Sequence, residues 1–136
     1  MADKFLGKWK LTKSENFDEY MKKLGVGMVL RKMGNAAKPV MEFAVDGNGK
    51  WKVSSVSTFK TVVLEFKLGE EMEETTADGR KCKTTITLDG DKLIQTQKAT
   101  KAGEKDSVIE RWVEDDELIC VCICEDVESK RIYKRE

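Results

Sequence analysis

The C-terminal stretch of the chain reads SVIERWVEDDELICVCICEDVESKRIYKRE (107–136) and contains three segments with the pattern of β-strands. These segments are 107–113, 117–124 and 127–135, and short acidic turns separate them. In the last segment Arg131 and Tyr133 share one face, because the side chains of a strand alternate between its two faces. Strands joined by such short turns pair as antiparallel hairpins. The stretch therefore predicts antiparallel strands that follow one another in a sheet.

The same pattern covers the chain from Val40 onwards, where strand-like segments alternate with turn signals such as Asp46-Gly47-Asn48-Gly49. The other predicted strands are 40–45, 50–56, 59–66, 70–76, 80–88 and 92–97. An N-terminal segment over 5–11 alternates in the same way and brings the number of strands to ten. A sheet of that size usually closes to hide its edges. The sequence therefore predicts an all-β fold, a ten-stranded antiparallel up-and-down barrel.

Two short helices are predicted between the first and second strands. The first carries apolar residues at helical spacing, namely Phe17, Tyr20, Met21 and Leu24. Asn16 is its expected N-cap, and a second helix covers 27–37 and stops before Pro39. Several strands carry Thr, Ser or Arg at inward positions where a dry core would have Val or Leu, which predicts an internal cavity.

The composition excludes several functional classes. The 136 residues include 25 Lys and Arg against 25 Asp and Glu, so the formal net charge is zero. Nucleic-acid binding relies on clustered positive charge, and we therefore expect no nucleic-acid partner. The absence of histidine removes Ser-His-Asp and Cys-His catalysis and imidazole metal sites. We expect a single domain over 1–136 with no metal, no cofactor and no enzymatic activity, located in the cytoplasm because no secretory signal is recognisable.

Many collinear motifs resemble those of the intracellular fatty-acid-binding proteins, in the branch that includes the heart, adipocyte, epidermal and peripheral-myelin members. They include Gly7-x-Trp9-x-Leu11, Asn16-Phe17-Asp18-x-Tyr20-Met21-x-x-Leu24, Arg31-Lys32-Met33-Gly34, Thr75-Thr76-Ala77-Asp78-Gly79-Arg80 and Arg131-Ile132-Tyr133-Lys134. This resemblance implies a monomeric barrel with a helix-turn-helix lid over its cavity. It also implies a cytosolic carrier that reversibly binds long-chain fatty acids.

The resemblance further implies which residues contact the ligand. The carboxylate would be held by Arg111, Arg131 and Tyr133. The residues at the ligand tail and the portal would be Phe17, Tyr20, Met21, Leu24, Val29, Met33, Phe59, Ala77, Asp78 and Cys122. The helical residues of this set, Val29 among them, are expected to pack on the barrel. Without the resemblance, both arginines would be interpreted as solvated surface charges. The acidic cluster over 70–74 is interpreted in that way here, as a solvated strand face.

The strand over 117–124 leaves one question open. Cys120, Cys122 and Cys124 alternate with Ile119, Val121 and Ile123, so both faces are apolar and the pattern does not say which faces inward. The resemblance suggests that the cysteine set lines the cavity. Residues two apart on a strand diverge too far for a disulfide, so we expect reduced thiols.

Three further hypotheses accompany the fatty-acid carrier. A retinoic-acid carrier of the same fold would also use two arginines and a tyrosine. A cysteine-dependent esterase or isomerase would use the cavity thiols. The basic residues of the helices, Lys22, Lys23, Arg31 and Lys32, could also bring the lid into transient contact with anionic membranes, the alternative being an ordinary solvated face.

Overall fold

The computed structural model describes residues 2–136 and confirms the predicted architecture: ten antiparallel strands form a nearly closed barrel with two helices. The helices are α1 (Phe17–Leu24) and α2 (Met28–Ala36). The strands are β1 (Gly7–Glu15), β2 (Val40–Val45), β3 (Lys50–Val56), β4 (Thr61–Lys67), β5 (Met72–Thr75), β6 (Lys81–Asp89), β7 (Lys92–Ala99), β8 (Ser107–Glu114), β9 (Glu117–Cys124) and β10 (Val127–Arg135). Their order is β4-β3-β2-β1-β10-β9-β8-β7-β6-β5, so β4 and β5 are the two ends of the sheet.

Several strand boundaries differ from the sequence prediction by a few residues, and two of the strand starts have clear local causes. The first strand begins at Gly7, because Ala2–Phe5 form a 3-10 helix and Gly7 turns the chain with a φ of 110°. The fourth strand begins at Thr61 rather than at Phe59. Ser57 closes a turn there, since its Oγ accepts the backbone N–H groups of Phe59 and Lys60.

Helix α1 begins after the predicted N-cap residue, Asn16. Asn16 occupies the N-cap position with a left-handed φ of 61°, and its side-chain amide donates to the carbonyl of Glu128 at 2.9 Å. The predicted N-cap position of Asn16 is therefore confirmed, but its side chain makes no capping hydrogen bond to the helix. Instead, the residue attaches the start of α1 to β10.

The two helices differ in how they meet the barrel. Helix α1 packs against β9 and β10 and buries Tyr20, Met21 and Leu24, as predicted. Helix α2 buries none of its residues completely, and Val29 is 73% exposed. The expectation that Val29 packs on the barrel is therefore wrong. No helix in residues 2–136 has the length and apolarity needed to cross a membrane.

An aromatic cluster fills part of the barrel interior. Phe5 packs against Phe43 with ring centroids 5.9 Å apart, and Trp51 stacks on Phe66 at the same distance. Trp9 is fully buried, as expected of a core residue, and its indole donates to the carbonyl of Phe5 at 2.9 Å. Large aromatic groups stabilise this region by the apolar area they bury, and the remaining interior is left open as a cavity.

Candidate ligand-binding cavity

A cavity of about 540 Å³ lies between the lid helices and the barrel wall. Its lining is mainly apolar, with side chains from both helices, from the turn at Phe59 and from inward positions of the strands. Polar groups interrupt this lining at a few positions. Such a composition is typical of a site for an apolar ligand that carries a small polar group.

Most of the residues predicted at the ligand lie in this lining. They are Phe17, Tyr20, Met21, Leu24, Met33, Phe59, Ala77, Asp78, Arg111, Cys122, Arg131 and Tyr133. Val29 lies outside it, and Leu30 takes its place. The reason is helical geometry: Leu30, Met33, Gly34 and Ala37 follow the i, i+3, i+4, i+7 spacing of one helix face, and Val29 is not in that set.

Two arginines flank one cysteine on the inner face of the barrel. Arg111 on β8 is the register partner of Cys120 on β9, and Cys120 is in turn the partner of Arg131 on β10. Residues directly opposite in antiparallel strands share a face. The three side chains therefore form a row across β8, β9 and β10, which we call the Arg111–Cys120–Arg131 row.

Arg131 and Tyr133 are both buried. Arg131 is 6% exposed, its Nη1 donates to the Ser14 hydroxyl at 3.1 Å, and its guanidinium lies 3.7 Å from the centroid of the Phe17 ring. This contact links the row to helix α1. Burial raises the pKa of Tyr133, so its phenol stays protonated and can donate a hydrogen bond.

Arg111 belongs to a polar network that includes an unexpected carboxyl group. Its Nη1 donates to Gln95 Oε1 at 2.8 Å, whereas its buried Nε has no hydrogen-bond partner among the described residues. The Gln95 amide nitrogen donates to Glu74 Oε1 at 2.9 Å, and the same oxygen accepts hydrogen bonds from Thr84 and Gln97.

Glu74 corrects the expectation for the acidic cluster over 70–74. The residue is only 7% exposed and points to the inside of the barrel, whereas its neighbours Glu73 and Thr75 are exposed. The run of acidic residues hid this alternation. The amides at Gln95 and Gln97 were the available signal, since two glutamines on one strand face suit a buried carboxyl group.

A second polar cluster lies in the turn between β5 and β6, which sequence reasoning represented only by Asp78. Arg80 Nε donates to Asp78 Oδ2 at 2.7 Å, and Thr76 Oγ1 donates to Asp78 Oδ1 at 2.7 Å. Burial alone would raise the pKa of Asp78, but the hydrogen bonds from Arg80 and Thr76 outweigh it and hold that pKa below its usual range. We call these three residues the Arg80 cluster.

All four cysteines are free thiols. Cys120 and Cys122 line the cavity with their sulfur atoms 3.9 Å apart, whereas Cys124 is buried outside the lining. The Cys122 thiol, helped by the positive charges of Arg111 and Arg131, lowers the pKa of Cys120 to about 6 despite its burial. The hydrogen bond to Cys120 and burial raise the pKa of Cys122. Cys120 is therefore an exchangeable negative charge beside the two arginines.

A family model described as the Lipocalin / cytosolic fatty-acid binding protein family matches residues 6–136. The chain belongs to this family. Among its relatives, fatty acid-binding protein homolog 5 of Caenorhabditis elegans is 50% identical over 135 residues, which cover 99% of this chain and 98% of that protein.

Solved structures of fatty-acid-binding and lipid-binding proteins share the fold of this family member. The structure of apo lipid binding protein 8 of Caenorhabditis elegans matches with a TM-score of 0.97 at 34% identity, covering 100% of this chain and 98% of that one. The fatty acid binding protein of Schistosoma mansoni, solved with arachidonic acid, matches with a TM-score of 0.90 at 41% identity, covering 98% and 96%.

Proposed function

We propose that the chain is a single-domain cytoplasmic carrier that reversibly binds one long-chain fatty acid in the barrel cavity. Arg111, Arg131 and Tyr133 hold the carboxylate, and the apolar lining encloses the tail. The Arg111–Cys120–Arg131 row carries this proposal. The activity is binding rather than catalysis, since no histidine is present to serve as a general base for the thiols.

The two arginines account for the charge of the ligand. Burying a guanidinium is costly unless a counter-charge and hydrogen bonds compensate for the lost water. A carboxylate supplies both, because the planar fork of arginine matches its two oxygens. The Nε of Arg111 and the protonated phenol of Tyr133 are donors available to it.

The apolar lining accounts for the affinity. Burying about 15 methylene groups at about 0.8 kcal/mol each contributes a gross term of about 12 kcal/mol. Ordering the chain and losing translational freedom subtract several kcal/mol, which leaves dissociation constants in the nanomolar to micromolar range.

Calorimetry with palmitic acid and its methyl ester tests the carboxylate site. We expect one acid per chain and much weaker binding of the ester, and Arg131→Gln should weaken acid binding by about 1 to 3 kcal/mol. Lys130→Gln is the matched control, because Lys130 lies next to Arg131 on β10 but is exposed. Equal affinities for acid and ester would contradict the role of the arginines. Tighter binding of retinoic acid than of palmitic acid would favour the retinoid alternative.

We also propose that the lid makes transient contact with anionic membranes when the ligand is delivered. Helix α2 exposes Met28 and Val29, and leaves Leu30 partly exposed although it also lines the cavity. Four basic residues lie on the two helices. Apolar side chains can enter the headgroup region while basic side chains meet anionic lipids.

The ion pairs of the lid decide which basic residues to change. Lys23 already pairs with Asp126 at 3.2 Å, and Arg31 pairs with Asp18 at 3.2 Å and donates to the carbonyl of Val26. Lys22 and Lys32 form no salt bridge with the described residues. The double variant Lys22→Glu with Lys32→Glu therefore changes the surface charge without breaking an ion pair of the lid.

Transfer of a fluorescent fatty acid to vesicles tests this contact. We expect the transfer rate to rise with vesicle concentration and with anionic lipid, to fall in the double variant, and to fall with added salt. Replacing the same residues with glutamine should give an intermediate rate. A rate that ignores vesicle concentration and charge would mean release into water.

A further inference from the structure

The Arg80 cluster is a second polar site within the same cavity. Arg80, Asp78 and Thr76 all line the cavity, although the lining around them is mostly apolar. Arg80 uses Nε and Nη2 to bind Asp78, and its buried Nη1 has no hydrogen-bond partner among residues 2–136. A buried donor without a partner is costly, so an oxygen that accepts from it would be bound favourably.

The two polar sites lie at different levels along the barrel wall. Arg111 is the register partner of Leu93, and Leu93 is the partner of Leu88 on β6. Arg80 directly precedes β6, so the backbones of Arg80 and Arg111 are offset by eight residues along the strand direction, roughly 26 Å as an upper limit. The Arg111 side chain shortens this offset, because it reaches Gln95, the register partner of Ile86 on β6. A long-chain ligand whose carboxylate lies at Arg111 can therefore bring a distant part of its tail towards Arg80.

The charges distinguish what each site accepts. The cavity lining contains three arginines and two carboxyl side chains, which leaves one surplus positive charge among these groups. The arginines are Arg80, Arg111 and Arg131, and the carboxyl side chains are those of Glu74 and Asp78. Lys60 also lines the cavity but is exposed. The surplus lies at the Arg111–Cys120–Arg131 row when the Cys120 thiol is protonated, because Asp78 already neutralises Arg80. The Arg80 cluster offers a hydrogen-bond donor without net charge, which suits a neutral oxygen and not a second carboxylate.

We propose that the Arg80 cluster binds a neutral oxygen, such as a hydroxyl or carbonyl group, on the distal half of a fatty-acid chain. The protein then binds such oxygenated fatty acids without the loss of affinity that a buried, unpaired oxygen would cause. This inference rests on the proposed function, because it needs the carboxylate at the two other arginines.

Three ligands of equal length test the inference on the wild-type protein by calorimetry: palmitic acid, ω-hydroxypalmitic acid and the corresponding α,ω-diacid. A hydroxyl group buried without a partner would weaken binding tenfold or more. We expect ω-hydroxypalmitic acid to bind at least as tightly as palmitic acid, and the diacid to bind more weakly than the hydroxy acid because its second carboxylate meets Asp78. Weaker binding of the hydroxy acid than of palmitic acid, or tighter binding of the diacid, would overturn the inference.

The variant Arg80→Lys assigns the effect to this cluster. Lysine keeps the charge beside Asp78 but lacks the planar fork. We expect this variant to weaken the binding of ω-hydroxypalmitic acid about tenfold more than the binding of α-hydroxypalmitic acid, whose hydroxyl lies at the carboxylate end. The comparison is made within one variant, so any general loss of stability cancels. Lys83→Gln, an exposed position on β6, should leave the ratio unchanged.

The outcomes separate the two proposals. Equal responses of the two hydroxy acids to Arg80→Lys, with palmitic acid still bound and still dependent on Arg131, would overturn the inference and leave the carrier function standing. Failure of palmitic acid to bind at all would overturn the carrier function and the inference with it.

Discussion

The barrel wall at β8 to β10 and the helix α2 border the same cavity but are held in place in opposite ways. In the wall, each inward side chain has a register partner on the next strand, and Leu118 and Cys124 are completely buried. Helix α2 is connected to α1 by Arg31 and by Asn35, both of which donate to Asp18, and it exposes three consecutive apolar residues.

The difference indicates a division of roles. The wall fixes the positions of Arg111, Cys120 and Arg131, because moving one of them requires breaking ladders on both sides. Helix α2, which we call the cover, can move by breaking only a few partly exposed contacts. Elements with few buried contacts are the ones that open locally. The cavity therefore has a rigid polar end and a movable apolar entrance.

The largest expected difference between the wall and helix α2 is in how much a substitution lowers the free energy of unfolding. Leu118→Ala removes a completely buried side chain from the wall and should lower the free energy of unfolding by about 2 to 5 kcal/mol. Val29→Ala in the cover should change it by less than about 0.5 kcal/mol, because that side chain is exposed. Urea unfolding of the ligand-free variants measures both values. Similar losses for the two would remove the distinction between wall and cover.

A second prediction concerns pH and the Cys120 thiol. In the ligand-free protein its pKa lies at about 6, and a carboxylate bound to Arg111 and Arg131 should raise it towards the ordinary value. Between about pH 6 and pH 9 the thiol then takes up a proton on binding, so fatty-acid affinity should fall as pH rises, by at most about tenfold per pH unit. Below pH 6 the thiol is protonated in both states and this dependence disappears.

Calorimetry of Cys120→Ser across that pH range checks the assignment. We expect a flat profile for this variant and a wild-type slope for Cys124→Ser, whose thiol is buried outside the cavity lining. A slope that persists in Cys120→Ser would assign the proton uptake to another group.

The smallest expected effect concerns the link between the helices. Arg31→Gln removes the ion pair to Asp18 and the hydrogen bond to Val26, and because Asp18 is half exposed the loss of stability should stay within about 1 kcal/mol. Amide hydrogen exchange should nevertheless become faster in α2, with β9 unchanged. Lys32→Gln serves as its control, and faster exchange in β9 as well would mean that α2 and the wall open together.

The regular alternation of the sequence was sufficient to predict the strands. Hydrophobic period and turn residues are local signals, and they indicated the ten strands with boundaries correct to a few residues. They also placed Arg131 and Tyr133 on one face, because that relation depends only on the pleat of a single strand. The resemblance then supplied the family, which the comparisons confirm.

Contacts between side chains of different strands and helices were decided only by the tertiary structure. Both faces of β9 are apolar, so the pairing with β8 and β10 was needed to place Cys120 between two arginines. Glu74 turns inward because its partners are amides on β7, a strand distant in sequence. Val29 faces solvent and Leu30 the cavity because the packing of α2 selects one stripe of an ambiguous apolar run. Local periodicity determines which residues share a face, but the partners assembled across the barrel determine what that face meets.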